Sequence, residues 1–442
     1  MASLMTRRMY AVLGLTIVLI VGFSWHISSP SANSRGYIKD LLHISNPSYV
    51  LESQECERPP SAQDPQQVYL PIPSAVEHPI IHTSPALSTA SPEAPASAHS
   101  AEVDAPGYGS KLPFENDLAL EFPKIDVDHL KTMAPHHYKG PGHATFALIF
   151  LSRNGSIQDP YFLATHEVVF RLLWKPDTKS TEHSVTVFVA PFVSQEQRSS
   201  FEAIGAIVRE VQEMPFRSDL HNGNSISHRF RDVFSKLEMW AQTDFSRIAY
   251  LDSDAFPLVN IDALLSQQLA PERSCRRELL WTEDQTHAEE SCRYTFTAVQ
   301  DLGVSSMFNA GVMVLRPDSA MHELLLADFH DPDNTGLLNS GFPGQGLLSH
   351  VFRLDGPFPA TVIGKAWNGD AGVKDAGGQL NILHAKLWAL VHEGRHWTDG
   401  LFVKTWQELS TLYGSEEFGS RRAQDTVLWK EYFSASGSGG VV

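Results

Sequence analysis

Cysteine is scarce in this chain: three residues in 442. That rules out a disulfide-built scaffold, and no Cys-x-x-Cys pair offers a zinc or redox site. Cys275 and Cys292 bracket a polar loop and are expected to pair in an oxidising compartment, which leaves Cys56 for an intermolecular bond or a free thiol. Positive charge is also short. Lys and Arg number 34 against 51 Asp and Glu, a formal net charge of -17. A protein so acidic does not hold nucleic acid on a broad basic surface, and no nucleic-acid partner is expected. Neither a Walker A loop nor a dinucleotide Gly-x-Gly-x-x-Gly fingerprint is present, so the familiar phosphate cradles are missing.

Long apolar runs are missing too, with one exception. Met9 to Trp25 carries no charge and follows Arg7 and Arg8. The run is long for a signal-peptide core, and Trp25-His26-Ile27 offers no small-residue cleavage site. The expected topology is a cytoplasmic tail (1–8), one signal-anchor helix (9–27) and everything after it lumenal, by the positive-inside rule. A short span suits a thin early-secretory membrane, and the expected location is the Golgi membrane, single-pass type II. Residues 28–140 are rich in Pro, Ser, Ala and Glu. They lack the apolar surface to offset ordering entropy and read as a disordered stalk. The folded lumenal domain is then 141–442.

Within it, hydrophobic patterning gives alternating strands and helices. Strands are expected at Ala144–Leu151, Val185–Ala190, Ile248–Leu251, Glu278–Trp281, Ser306–Leu315 and Leu380–Leu383. Helices are expected at Tyr161–Trp174, Phe201–Val211, His228–Gln242, Pro317–Phe329, Asp399–Leu412 and Ser415–Phe433. Strand, helix, strand, helix, strand is the pattern of an α/β fold with a mostly parallel sheet. Asn154-Gly-Ser156 is an N-glycosylation acceptor.

The stretch Ile248-Ala-Tyr-Leu-Asp-Ser-Asp254 ends a buried strand in two carboxylates spaced i, i+2. A strand buried on both faces excludes them from its interior, but its carboxyl end, where open α/β sheets bind ligands, accepts them. Two readings follow. Either Asp252 and Asp254 share a divalent cation that cancels their repulsion, or they cap the next turn. Lys236 falls off the apolar stripe of its helix and is either solvated or functional. Asn309-Ala-Gly311 interrupts a core strand and suggests backbone approaching a ligand. Gly341-Phe-Pro-Gly-Gln-Gly346 opens a helix whose free N–H groups favour anionic or hydroxyl-rich ligands.

Taken together, these pieces resemble the glycogenin-like retaining glycosyltransferases (family 8), here of a fungal-type, membrane-anchored form. The resemblance runs from about Ala144 to Trp388 and rests on four ordered motifs. They are the lysine helix and DxD strand from Phe234 to Asp262, Phe308-Asn-Ala-Gly-Val312, Gly344-Gln-Gly-Leu-Leu348, and His384. It implies a GT-A-type sheet flanked by helices and a UDP-sugar donor, with a hexose or N-acetylhexosamine transferred to a glycan or glycoconjugate acceptor. Asp252, Asp254 and His384 would hold Mn²⁺ on the diphosphate. Ser253 would face the ribose, Lys236 the donor sugar or its phosphate, and Lys386 a phosphate. Asn309 and Gln345 would bind sugar hydroxyls, Gln345 on the face where the acceptor attacks, through an ion-pair-like state. The chain departs from the pattern in two places. Gly344 stands where the family has an aspartate, and the closing histidine element is compressed to His384-Ala-Lys-Leu-Trp388, with His392 as a competing alignment. Two other functions share some of these features: a non-catalytic sugar-binding protein of the same fold, and a haloacid-dehalogenase-like phosphatase using Asp252 as nucleophile. Oligomeric state is not legible.

Overall fold

Why the chain folds as it does is clearest at its first strand, β1 (Ala144–Phe150), whose side chains alternate between two cores. Phe146, Leu148 and Phe150 enter one apolar layer and Ala147 and Ile149 the other. Such a strand is buried on both faces, which is why it reads as a continuous apolar run. Each fully buried phenylalanine contributes roughly 1.5–3 kcal/mol. In this computed structural model the described residues are 120–214, 232–280, 291–300, 307–334, 343–389 and 396–435.

The chain enters through a short helix, α1 (Val127–Leu130), continues into β1, and forms α2 (Pro160–Leu173), capped by the Asp159 carboxylate. β2 (Ser184–Val189), α3 (Gln195–Ala203) and β3 (Ile207–Glu210) follow. A 3-10 helix (Val233–Ala241) leads into β4 (Arg247–Leu251) and β5 (Ala255–Pro257). Next come β6 (Arg273–Ser274), β7 (Arg293–Tyr294), β8 (Phe296–Gln300) and β9 (Phe308–Leu315). The remainder is α4 (Ser319–His330), α5 (Pro343–Val351), β10 (Thr361–Ile363), α6 (Ala371–Asp375), β11 (Ile382–His384), α7 (Leu401–Tyr413) and α8 (Glu416–Ala435).

Seven strands form one mixed sheet in the order β10-β8-β9-β4-β1-β2-β3. β1 pairs in parallel with β2 and β4, and β2 with β3, while β9 runs antiparallel to both β4 and β8. The α/β expectation therefore holds, with antiparallel pairing at β9. A separate two-stranded ribbon pairs β5 with β11 antiparallel, setting His384 opposite Ala255. Strand geometry resumes after the paired aspartates and ends at Pro257.

One buried ion pair fixes the ribbon. Arg171, from α2, bonds Glu167 one turn back at 2.7 Å, the Pro257 carbonyl oxygen at 3.1 Å and the Thr405 hydroxyl of α7 at 2.8 Å. Burial pushes the Glu167 carboxyl up to about 7, against the pull of Arg171. These bonds satisfy a guanidinium that is otherwise costly to bury.

Several expected elements are corrected. The helix expected over Phe201–Val211 is the end of α3 followed by β3. Gly205, at φ +98°, breaks the helix between them. The strand expected from Glu278 is a 3-10 turn at Arg277–Leu279, and Trp281 lies outside the described residues. Residues 120–140, assigned to the stalk, pack on the folded body. Leu130 is buried, the Phe122 ring lies 5.8 Å from that of Phe162, and the Ala134 carbonyl accepts from Arg422 at 2.9 Å. The apolar residues of this stretch, Leu120, Phe122, Ile125, Val127, Leu130 and Met133, pack on the core at mixed spacings of two and three, which match neither a strand nor a helix face. Cys275 and Cys292 are joined, with Cα atoms 4.6 Å apart. Among the described residues no helix is long and apolar enough to cross a membrane. The Met9–Trp25 run, the stalk up to residue 119, Cys56 and His392 lie outside the described residues.

Candidate functional site

The site grows from the carboxyl end of β4, the strand at the centre of the sheet. Alternation along β4 sends Ile248 and Tyr250 into one core layer and Ala249 and Leu251 into the other. Past Leu251 the strand meets a turn, where the Asp252 carbonyl accepts from Ala255 N–H at 2.9 Å. The two carboxylates of that turn part company toward the two layers.

Asp252 keeps to the Tyr250 side. Lys236, from the 3-10 helix, donates to its Oδ1 at 2.6 Å, and the buried Tyr250 hydroxyl donates to the same oxygen. The Lys236 ammonium also lies 4.8 Å from the Tyr250 ring centre, a favourable cation–π placement. Burial, with the Asp252 charge second, raises the Tyr250 phenol well above its ordinary range, so it donates and does not ionise. The helix residue that falls off its apolar stripe thus reaches the first aspartate.

Asp254 turns toward the β5–β11 ribbon. His384 Nε2 lies 3.1 Å from its Oδ1, and Lys386 donates to its Oδ2 at 2.9 Å. Lys386 is shared with the Tyr161 hydroxyl at 3.1 Å and packs by the rings of Tyr161 and Trp388. Burial opposes ionisation of Asp254, but the His384 hydrogen bond and the two neighbouring cations outweigh it and hold the carboxyl below the usual range. Burial likewise opposes protonation of His384, and the Asp254 bond and charge overcome it, raising the imidazole above its ordinary value. Lys386 is raised in the same way, Asp254 overcoming burial.

Asp252, Asp254 and His384 each offer one ligand atom, all within 4.8 Å of one another. Two carboxylate oxygens and an imidazole nitrogen suit a divalent ion of borderline hardness, and the donor set fits such an ion. Without one, the two carboxylates are matched by two ammonium groups, Lys236 and Lys386. Adding a dication would leave the spot with excess positive charge, ready for a polyanion.

The remaining predicted residues lie around this centre. The Ser253 hydroxyl meets that of Thr165 at 2.8 Å. Asn309 Oδ1 accepts from Gly311 N–H and from Asn368 Nδ2, both at 2.9 Å. Gln345, in the first turn of α5, accepts from Ala310 N–H at 3.2 Å, which puts it against β9 beside Asn309. A Cβ on Gly344 beside it would meet Val233 Cγ2 at 3.3 Å. A cavity of about 540 Å³ opens at this edge, lined in part by Asn309, Asn368, His384, Lys365, Asp370 and Val373. That volume is in the range of small-molecule sites.

Three residues with a part here escaped the sequence. Tyr250 reads as a core strand residue and Tyr161 as the start of a helix. Asn368, which accepts or donates at His384 Nδ1 across 2.8 Å, sits in a polar Asn-Gly-Asp turn with no motif around it. Gly311 has a sharper reason than backbone approach to a ligand: a Cβ there would stand 2.2 Å from His384 Cε1. Glycine at that position is what lets the histidine reach Asp254.

No protein-family model matches the chain. It is similar in sequence to an uncharacterised protein of Schizosaccharomyces pombe, 27% identical over 282 residues that span 56% of this chain and 74% of that one. It is similar to galactinol synthase 7 of Arabidopsis thaliana, 25% identical over 198 residues, 42% of this chain and 58% of that one. Glycogenin-1 of Caenorhabditis elegans is 27% identical over 190 residues, 40% of this chain and 36% of that one. The chain is thus distantly similar to several glycosyltransferases, and it carries a possible metal-binding triad.

Proposed function

We propose that this chain is a membrane-anchored, Mn²⁺-dependent retaining glycosyltransferase of GT-A type, moving a hexose or N-acetylhexosamine from a UDP-sugar to a glycan or glycoconjugate acceptor. The observation that carries the reading is the cluster itself: Asp252, Asp254 and His384 converge at the carboxyl end of the central strand, each aspartate already paired with a lysine. In this reading those three side chains hold Mn²⁺, which neutralises charge on the departing diphosphate as a Lewis acid. Lys236 and Lys386 turn from their aspartates toward phosphate oxygens as the donor binds, replacing one anionic partner by another. Ser253 faces the ribose. Asn309 and Gln345 hold the donor sugar, and Gln345 lies on the face from which the acceptor hydroxyl attacks.

In the transfer step the bond from the anomeric carbon to the diphosphate oxygen breaks, and its electron pair leaves with UDP. The acceptor oxygen bonds to the same face of that carbon, and its proton passes to the departing phosphate oxygen. Both substrates are held in one cleft, so the step gains from proximity as well as from charge. Gly344 supplies no carboxylate to the donor sugar, which leaves donor choice to the neighbouring Asn309 and Gln345. The folded domain works in the Golgi lumen, tethered by the Met9–Trp25 run.

The test is a panel of UDP-sugars with Mn²⁺, scored for UDP release without acceptor and for the product's anomeric configuration by NMR. One donor turned over with retention is expected. Binding without turnover would move the chain to the non-catalytic sugar-binding reading. Phosphate released from phosphosugars, and no UDP from any donor, would move it to the phosphatase reading.

A further inference from the structure

Asn368 is buried, 8% exposed, between the 3-10 turn Lys365–Trp367 and α6. Its carboxamide lies in a chain of hydrogen bonds that starts at a group with only one possible role. Gly311 N–H can only donate, and it meets Asn309 Oδ1 at 2.9 Å, which makes that atom the carbonyl oxygen. The same oxygen lies 2.9 Å from one end of the Asn368 carboxamide. Only an NH₂ group satisfies an oxygen, so that end is Nδ2. The other end, Oδ1, therefore faces His384 Nδ1 across 2.8 Å, and only an N–H there completes the bond.

The direction of the whole chain is thus set by a backbone amide that cannot flip. Its outcome falls on the other ring nitrogen. Without a metal, a proton on Nε2 bridges the 3.1 Å to Asp254 Oδ1. With Nδ1–H fixed on Asn368, loss of that proton leaves the Nε2 lone pair aimed at the same place, where a cation joins the two acceptors. Gly311 gives the ring room for this pose, since any Cβ there would overlap it.

We propose that Asn368 is a positioning residue for the cation site: it holds His384 as the Nδ1–H tautomer and aims the Nε2 lone pair at the position shared with Asp254. The inference rests on the metal reading given above. Partners that orient a ligating histidine in this way typically change metal affinity about 10- to 100-fold when removed.

Two measurements on the full-length chain test it. The first is the ¹⁵N spectrum of histidine-labelled protein loaded with diamagnetic Zn²⁺, with the His384 signals identified by their loss in His384→Gln. The expected pattern is a protonated Nδ1 and a metal-bound Nε2 without a proton. A bare or metal-bound Nδ1 overturns the proposal. The second is Mn²⁺ affinity from the EPR signal of free Mn²⁺. Asn368→Ala is expected to weaken binding about 10- to 100-fold. Asn368→Asp, which keeps an acceptor for Nδ1–H, is expected to recover the larger part. Unchanged affinity in Asn368→Ala, or Asn368→Asp as weak as Asn368→Ala, overturns the proposal. An unmutated chain that binds neither Mn²⁺ nor Zn²⁺ would refute the metal reading, and the role of Asn368 with it.

Discussion

The two aspartates at the end of β4 sit two residues apart and are served in opposite ways. Asp252 takes its partners from close by in the chain, Lys236 sixteen residues and Tyr250 two residues upstream. Asp254 takes its partners from far away, His384 and Lys386 at separations of 130 and 132 residues. On the Asp254 side the carboxyl is lowered and the imidazole and ammonium are raised, while on the Asp252 side the raised group is the Tyr250 phenol. The contrast teaches that one motif draws on two sources. Local sequence supplies a lysine and a tyrosine, and the tertiary fold, through the β5–β11 ribbon, supplies the third ligand.

If that division is right, substitutions on the Asp254 side cost most. Asp254→Asn keeps side-chain volume and removes both a ligand charge and the counter-charge of His384 and Lys386. It is expected to lower kcat/KM for the cognate UDP-sugar by about 10³-fold or more, since the loss falls on charge developing at the barrier. Asp252→Asn should cost less, because the Lys236 ammonium keeps its place against the Tyr250 ring when the carboxylate charge is gone. Equal losses would erase the distinction. Gly311→Ala comes next. Its methyl group would displace the His384 ring, and Mn²⁺ affinity is expected to fall about 10- to 100-fold by EPR while the thermal transition stays cooperative. Unchanged affinity would mean that His384 is no ligand.

A smaller effect is expected from pH. His384 is raised, so metal-free protein keeps a proton there that Mn²⁺ must displace; Asp254 is lowered and stays ionised. Affinity should therefore rise with pH through the raised His384 value and level off above it. A pH-independent affinity would place the third ligand elsewhere. Smallest is Gln345→Ala, which deletes a neutral hydrogen-bonding group on the β9 side. A loss of roughly 10²-fold or less in kcat/KM is expected, with Mn²⁺ affinity unchanged. A shift in Mn²⁺ affinity would tie Gln345 to the cation instead of the sugars.

The same division explains what could be read in advance. β1, β2 and β4 are continuous apolar runs because both their faces are buried, and the paired aspartates stand out against β4 for that reason. Lys236 was legible because it broke a stripe, and Asn309 and Gly311 because they interrupted a core strand. His384 was reached only through resemblance. Nothing local to Leu380–His384 says that it folds back on β5. Tyr161 and Asn368 carry no signal, since a tyrosine opening a helix and an asparagine in a turn are common, and their roles exist only once α2 and the ribbon meet. Failures of the element reading have local causes. Gly205 ends α3 where apolar residues on both sides masked the break, and the apolar residues of 120–140, from Leu120 to Met133, follow no single period that would mark the stretch as folded.

Mn²⁺ binding to the full-length chain, read by EPR with and without UDP, tests the convergence of the two sides most directly. One Mn²⁺ per chain is expected, bound more tightly when UDP is present and lost in Asp254→Asn. A chain that binds no Mn²⁺ under either condition, or an Asp254→Asn chain that binds it as well as the original, would contradict a shared cation site at the end of β4.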